Sequence, residues 1–203
     1  MQIDYFFTCA SPWSFLGLAP LRDAARRHGA TILCHPVSYG TIFAATGGLP
    51  LPKRAPERQA YRLVELRRWR AFREVDLVLE PKHFPVDDSL ANRTILAARE
   101  DGAGAEKVLD LAHSFQALLW LEDGDLSSLA TLAGRANELG LDGAHLVEQA
   151  ATPEIQSLYE KETQAAIAAG VFGAPTYMLG GELFWGQDRV DFLDRALEQR
   201  GTA

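Results

Sequence analysis

Two hydroxyl side chains, Ser11 and Ser14, lie three residues apart just after the first apolar segment of the chain. Because Pro12 is favoured in the first turn of a helix, both serines are expected where a helix begins. The N–H groups and dipole of that helix would stabilise negative charge there. Ser11 could therefore donate a hydrogen bond to a bound thiolate and lower the pKa of that thiol. Alternatively, Ser11 only caps the helix, a role that is compatible with the first.

A pair of cysteines at this spacing would indicate disulfide exchange. Here both positions are serine, and Cys9 lies too early to occupy either of them. Cys9 and Cys34 are the two cysteines of the chain, too few for a disulfide scaffold. The N-terminus has no basic segment before an apolar run, and no apolar stretch approaches the roughly 18 residues of a membrane span. We therefore expect a cytoplasmic protein whose own thiols do not exchange disulfides.

Charge is distributed unevenly along the chain of 203 residues, whose formal net charge is −7. This acidic balance argues against a general nucleic-acid binder. The stretch from Lys53 to Val75, however, contains eight basic and three acidic residues. A solvated helix face explains most such runs, but a local positive field would also attract carboxylate ligands, which arginine forks match. The five histidines show no metal-ligand spacing, so we expect no metal site.

The two ends of the chain contain the elements that must position these residues. Ile3–Phe7 and residues 31–37 are predicted strands joined by a helix, which gives a right-handed parallel β-α-β unit. Near the C-terminus, the turn at Gly180-Gly181 joins strand Thr176–Leu179 to residues 183–185, and a helix follows from Val190. β-α-β followed by β-β-α is the order of the thioredoxin fold.

Between these ends, from about Tyr39 to Ala151, the periodicity predicts helices. The fold class is therefore α/β, a thioredoxin-like fold with a large all-helical insertion. We predict a thioredoxin-like domain at 1–38 and 170–203, with helix 153–169 packing on it, and a helical insertion at 39–152. One inserted helix is predicted to have an apolar stripe: Tyr61, Val64, Trp69, Phe72 and Val75.

Two segments near the C-terminus, Ala174-Pro175 and Gln187-Asp188, should face the Ser11 turn in this fold. Pro175 precedes a strand and is predicted to be cis, which would leave the backbone of Ala174 free to bind a peptide-like ligand. The alternative is a trans proline at the start of an edge strand. Gln187 and Asp188 could hold a ligand ammonium group, or Asp188 could simply cap the last helix.

Segments 5–16, 170–176 and 182–189 together resemble the 2-hydroxychromene-2-carboxylate isomerase family. That family belongs with the kappa-class glutathione transferases, in the DsbA-like branch of the thioredoxin fold. Further similar segments lie in the middle of the chain: 68–69, 83–85, 91–93 and 120–122. The resemblance covers essentially the whole chain.

The resemblance implies glutathione as the cofactor and assigns most of the polar residues above to it. Ser11 would hydrogen-bond the glutathione sulfur, and the backbone of Ala174, beside cis Pro175, would pair with the cysteinyl part. Gln187 and Asp188 would bind the γ-glutamyl end.

Two positions depart from the family pattern. Arg58 stands where the family usually has a lysine near the glycyl carboxylate, which keeps the charge and changes its geometry. Gly48 stands where relatives often have an asparagine, so one polar contact is lost.

The implied reaction is glutathione-dependent conversion of an aromatic carboxylate, 2-hydroxychromene-2-carboxylate, to trans-o-hydroxybenzylidenepyruvate in aromatic-ring catabolism. The thiolate would add reversibly to the conjugated substrate, and the family implies a homodimer. Two alternatives remain open. One is a kappa-like glutathione transferase, which would release a conjugate. The other is a DsbA-like protein that only binds thiols or peptides.

Overall fold

Four strands and nine helices form the described part of the chain, residues 1–201 of a computed structural model. In chain order they are β1 (Gln2–Phe7), α1 (Pro12–Arg27), β2 (Thr31–Pro36), α2 (Tyr39–Thr46), α3 (Pro56–Phe72), α4 (Ser89–Glu100), α5 (Ala105–Trp120), α6 (Leu129–Glu138), α7 (Gly143–Ala150), α8 (Pro153–Ala168), β3 (Thr176–Leu179), β4 (Glu182–Trp185) and α9 (Val190–Gly201). Short 3₁₀ turns span Leu51–Lys53 and Gln187–Arg189.

The strands form one mixed sheet in the order β2-β1-β3-β4. β1 pairs parallel with β2 and antiparallel with β3, and β3 pairs antiparallel with β4. Phe6 lies opposite Thr176, so the C-terminal end of β1 lies beside the N-terminal end of β3. This topology confirms the predicted thioredoxin-like fold and brings two distant segments to one edge of the sheet.

Local sequence signals explain where the elements of this fold begin and end. Ser11 caps α1 by accepting a hydrogen bond from the backbone N–H of Ser14 at 3.1 Å. Gly29, with φ +58°, ends the turn that follows α1. Gly180 and Gly181 have φ of +55° and +86°, as a tight two-residue hairpin between β3 and β4 requires.

The chain between β2 and β3 is helical, and its core is continuous with that of the sheet. Tyr5 and Tyr177 from the sheet belong to the same buried cluster as Ile95, Phe115 and Trp120 from the inserted helices. Since one core joins the two parts, their division into separate domains stays a prediction. No helix within residues 1–201 is both long and apolar enough to cross a membrane.

The predicted apolar stripe of α3 is confirmed only in part, because Trp69 and Val75 pack against the core and the other three residues face outward. Tyr61 and Phe72 are 57% and 72% exposed, and Val64 is exposed as well. Leu66 is the single completely buried residue of the helix. Arg62, four residues before it, lies on the same face and is partly buried. α3 therefore turns arginine side chains inward, because their long apolar stems can cover aromatic surface.

Candidate functional site

The turn between β1 and α1 places Ser11 at the N-terminus of a helix of 16 residues. The side chain is nearly buried, and its Oγ accepts a hydrogen bond from the N–H of Ser14. Within residues 1–201 the hydroxyl hydrogen of Ser11 has no acceptor, so it is free to donate to a ligand. The hydroxyl of Ser14 is completely buried and also has no hydrogen-bond partner in this part of the chain.

Two polar side chains from the start of α4 hold this turn in place. The carboxylate of Asp88 accepts hydrogen bonds from the Thr8 hydroxyl at 2.5 Å and from the Ala10 N–H at 2.7 Å. The amide of Asn92 accepts from the Cys9 N–H and donates to the Thr8 hydroxyl, both at 3.1 Å. The sequence analysis missed both residues. Their four-residue spacing could have indicated that both side chains lie on one face of a helix.

The two cysteines lie close to this turn but are not reactive. Cys34 lies on β2, whereas Cys9 lies in the loop after β1 and not on a strand. Both are buried and free. Burial raises the pKa of Cys34 to about 12. Burial and the nearby Asp88 carboxylate also raise the pKa of Cys9 well above its usual value. Both groups are therefore neutral thiols at neutral pH.

The peptide bond between Ala174 and Pro175 is cis, as the sequence predicts. The carbonyl of Gly173 accepts hydrogen bonds from the hydroxyls of Tyr39 and Thr176, at 2.9 and 2.6 Å. By contrast, neither the N–H nor the C=O of Ala174 has a hydrogen-bond partner in the described chain. The register of β3 places this segment beside the end of β1, next to the Ser11 turn. A peptide-like ligand could pair with this free backbone.

Gln187 lies against α1 at the same edge of the sheet. The N–H of Gly186, whose φ is +110°, donates to the carbonyl of Pro175 at 2.9 Å and so connects the two segments. A Cβ added at Gly17 would stand 2.9 Å from the Cβ of Gln187, which shows how closely they pack. Gln187 is 3% exposed, and its Oε1 has no partner among residues 1–201. Such an unpaired buried oxygen is suited to accept a hydrogen bond from a ligand.

Asp188 lies within a 3₁₀ turn and not at the start of α9, which begins at Val190. The prediction that it caps the last helix is therefore wrong. Its carboxylate accepts a hydrogen bond from Arg189 at 2.7 Å and is partly exposed. Because the Asp188 carboxylate is partly exposed, a ligand cation can reach it.

Arg58 lies in the first turn of α3 and is exposed. The structure records no contact between Arg58 and the other predicted site residues, so its role stays a prediction. Burial and the positive charge of Arg58 lower the pKa of Arg54, which shows that the two guanidinium groups are close.

Two clefts of the described chain lie away from these residues. One, of about 600 Å³, lies between β4 and α9, and the other, of about 520 Å³, lies beside the end of α3. Ser11, Ala174 and Gln187 line neither of them. We find no group of three or more His, Cys, Asp or Glu side chains, among the residues described, that could hold a metal ion.

Similarity to known proteins extends over nearly the whole chain. The family model of the DSBA-like thioredoxin domain matches residues 2–198. The 2-hydroxychromene-2-carboxylate isomerase of Sphingobium xenophagum is 33% identical over 196 residues, which cover 96% of this chain and 97% of the relative. This chain belongs to that isomerase family, within the DsbA-like proteins. A solved 2-hydroxychromene-2-carboxylate isomerase superposes with a TM-score of 0.82 at 24% identity, over 98% of this chain and 95% of that one.

Kappa-class transferases are more distant members of the same group. Glutathione S-transferase kappa 1 of Rattus norvegicus is 23% identical and covers 98% of this chain and 91% of its own. The isomerase relatives are nearer in sequence and match in length. The chain is therefore an enzyme, an isomerase with a DsbA-like thioredoxin fold.

Proposed function

We propose that the chain is a glutathione-dependent isomerase that interconverts 2-hydroxychromene-2-carboxylate and trans-o-hydroxybenzylidenepyruvate. The observation that carries this proposal is the Ser11 hydroxyl. It lies at the N-terminus of α1, its hydrogen is free to donate, and no reactive thiol of the chain stands beside it. A site built to stabilise a thiolate, in a chain without one, indicates a thiol brought by a ligand.

The residues present fit glutathione. When bound, glutathione supplies a thiolate that can add reversibly to a conjugated substrate and leave again. The free N–H and C=O of Ala174 suit the peptide groups of the tripeptide. The unpaired Oε1 of Gln187 and the carboxylate of Asp188 suit the ammonium of its γ-glutamyl end. Arg58 remains the candidate for the glycyl carboxylate.

Ser11 provides the chemical contribution of the chain to this site. Its Oγ accepts from the Ser14 N–H, so the O–H points away from the helix and can donate to a sulfur. Together with the dipole of α1, this hydrogen bond favours the ionised thiol over the neutral one. A hydrogen bond to a charged group contributes roughly 1.5–3 kcal/mol. This corresponds to a pKa lowered by about one to two units.

A kappa-like transferase is the second candidate, since kappa 1 transferases match nearly the full chain. The two functions differ in product: an isomerase returns free glutathione, whereas a transferase consumes it. Conversion of hydroxychromene carboxylate with substoichiometric glutathione distinguishes them. Conversion that proceeds to the equilibrium mixture of the two acids supports the isomerase, and conversion that stops when the glutathione is used up supports the transferase.

The experiment on the site compares Ser11→Ala with Ser14→Ala. Ser11→Ala should raise the pKa of bound glutathione by about one to two units, followed by thiolate absorbance, and lower kcat/KM about tenfold to a hundredfold. Ser14 provides the control on the same turn, because its hydroxyl makes no hydrogen bond to any atom of residues 1–201. A Ser11→Ala variant with an unchanged pH–rate profile, or turnover without glutathione, would overturn the proposal.

We also propose that the enzyme is a cytoplasmic homodimer. The exposed aromatic side chains Phe172 and Trp185, in contact with each other at a centroid distance of 4.6 Å, support association. The two free cysteines are compatible with a reducing compartment. Sedimentation equilibrium would test the oligomeric state.

A further inference from the structure

α3 presents a row of residues toward the rest of the protein that the proposed glutathione site does not use. They share one helix face through spacings of three and four residues, and we call them the inner face of α3: Arg62, Leu66, Trp69 and Arg73. Leu66 is completely buried, which fixes the direction of this face. The arginines on it therefore approach the interior and not bulk solvent.

Arg62, like Arg73 on the same face, has no carboxylate partner among residues 1–201. Its guanidinium carbon lies 5.1 Å from the ring centroid of Phe84 and 5.9 Å from that of Trp120. Its Nη2 is buried and has no hydrogen-bond partner in residues 1–201. Two other partly buried arginines are paired with carboxylates: Arg22 with Asp110 and Arg99 with Glu162.

An unpaired cation in such surroundings is unfavourable in the free protein. Burial, followed by the charge of Arg54, lowers the pKa of Arg62 to about 10. The group is nonetheless protonated at neutral pH. Because burial removes part of the solvation of this cation, and no carboxylate among residues 1–201 faces it, an anion that reached Nη2 could form a charge-assisted hydrogen bond there.

The place of Arg62 follows from how α5 packs against α1. The two helices run antiparallel, as three successive contacts show. Arg22 pairs with Asp110, and Phe15 stacks on His113 at a centroid distance of 5.8 Å. Closest to the start of α1, the Tyr5 hydroxyl bridges the carbonyl of Ser14 and the side chain of Gln116. Trp120 is one turn beyond Gln116, so it lies toward the end of α1 where Ser11 stands. Arg62 stacks on Trp120 and is therefore on the Ser11 side of the molecule.

The position of Phe84 also indicates that Arg62 lies on the Ser11 side of the molecule. Phe84, the other ring under Arg62, precedes Asp88 by four residues. The Asp88 carboxylate accepts a hydrogen bond from the Ala10 N–H, next to Ser11. The segment of Phe84 thus contacts the Ser11 turn, and the helix of Trp120 packs beside the first turns of α1.

We propose that Arg62 binds the carboxylate of the aromatic substrate, and that Phe84 and Trp120 hold its guanidinium in position to do so. The planar fork of arginine matches a carboxylate with two parallel hydrogen bonds. Neighbouring arginines suit this role less: Arg54 donates its Nε–H to the Leu49 carbonyl at 2.7 Å, and Arg58 is exposed. Arg73 lies at the end of α3, over the rings of Trp69 and Phe72 from the same helix. This assignment rests on the proposed function, since it takes an aromatic carboxylate as the substrate.

The test compares Arg62→Met, which keeps the length and the apolar stem, with Arg62→Lys, which keeps the charge and loses the fork. Arg67→Met is the matched control, because Arg67 is exposed and lies off the inner face of α3. At saturating glutathione, Arg62→Met should raise KM for hydroxychromene carboxylate about tenfold to a hundredfold, with a smaller rise for Arg62→Lys. Arg67→Met should match the wild type. Thermal unfolding should show no loss of stability in Arg62→Met, because the substitution removes an unpaired charge.

A binding measurement without glutathione separates this inference from the proposed function. By calorimetry, the wild type should bind salicylate more tightly than its neutral analogue salicylamide, and Arg62→Met should abolish that preference. A wild type without the preference, or a variant that retains it, would overturn the assignment. So would a variant with a raised Kd for glutathione and an unchanged KM, which would place Arg62 in the tripeptide site. Turnover that is independent of glutathione would refute the proposed function alone.

Discussion

Replacing Asn92 with alanine should destabilise the turn that contains Ser11, because the Asn92 amide makes three hydrogen bonds that no neighbour can replace. Asn92 is completely buried, accepts from the Cys9 N–H at 3.1 Å, and donates to the hydroxyls of Thr8 and Tyr159 at 3.1 and 3.2 Å. Each bond contributes about 1 kcal/mol, and an unpaired buried N–H on Cys9 costs about 1–2 kcal/mol more. We therefore expect a loss of about 3–5 kcal/mol in the free energy of unfolding.

Urea denaturation measures this loss, with Thr94→Val as the control on the same helix. Thr94 is also completely buried, but its hydroxyl donates only to the Leu90 carbonyl one turn earlier, at 2.9 Å. That variant should lose about 1 kcal/mol or less. Asn92→Ala should also lower kcat/KM tenfold to a hundredfold, because a displacement of about 1 Å at Ser11 can have that effect. Equal stability losses in the two variants would show that other contacts hold the turn.

Two further predictions concern groups away from Ser11. Although burial opposes ionisation of Glu162, hydrogen bonding to His35 and pairing with Arg99 lower its pKa. Because the folded pKa is below the unfolded one, this carboxylate stabilises the fold above about pH 4.5 and its contribution is lost as the pH falls through the folded value. Glu162→Gln should thus lower the free energy of unfolding by about 1–3 kcal/mol at pH 7 and much less near pH 3. An equal loss at both pH values would contradict this reasoning. Cys9→Ala and Cys34→Ala should keep wild-type turnover, because both thiols are buried and neutral; a large loss in the steady-state assay would point to thiol chemistry by the chain itself.

The sequence predicts those parts of the fold that have local signals. Ser11 and Thr152 cap their helices, and Gly180-Gly181 makes the hairpin turn, because each acts within a few residues of itself. The order of strands and helices, β-α-β followed by β-β-α, predicted the thioredoxin-like fold that the structure confirms. The same local signals placed Ser11 and Pro175 at the edge of the sheet where the structure has them.

The missed features depend on contacts between distant residues. Asp88 and Asn92 act on a loop about 80 positions earlier, which no periodicity reports. The inward face of α3 was assigned to its apolar residues, whereas Arg62 covers aromatic rings that come from two other segments. Hydrophobic periodicity counts every arginine as polar and therefore predicts that it faces solvent, even where its apolar stem packs on an aromatic ring.

The attachment of α3 through a single completely buried residue has an evolutionary consequence. Most positions of this helix can change without creating a cavity in the core, whereas the Ser11 turn is fixed by buried hydrogen bonds from α4. Mutations on α3 can therefore accumulate at little cost to folding. With Arg62 as the proposed carboxylate ligand, drift in that helix would alter which substrate is bound while the Ser11 turn stays as it is.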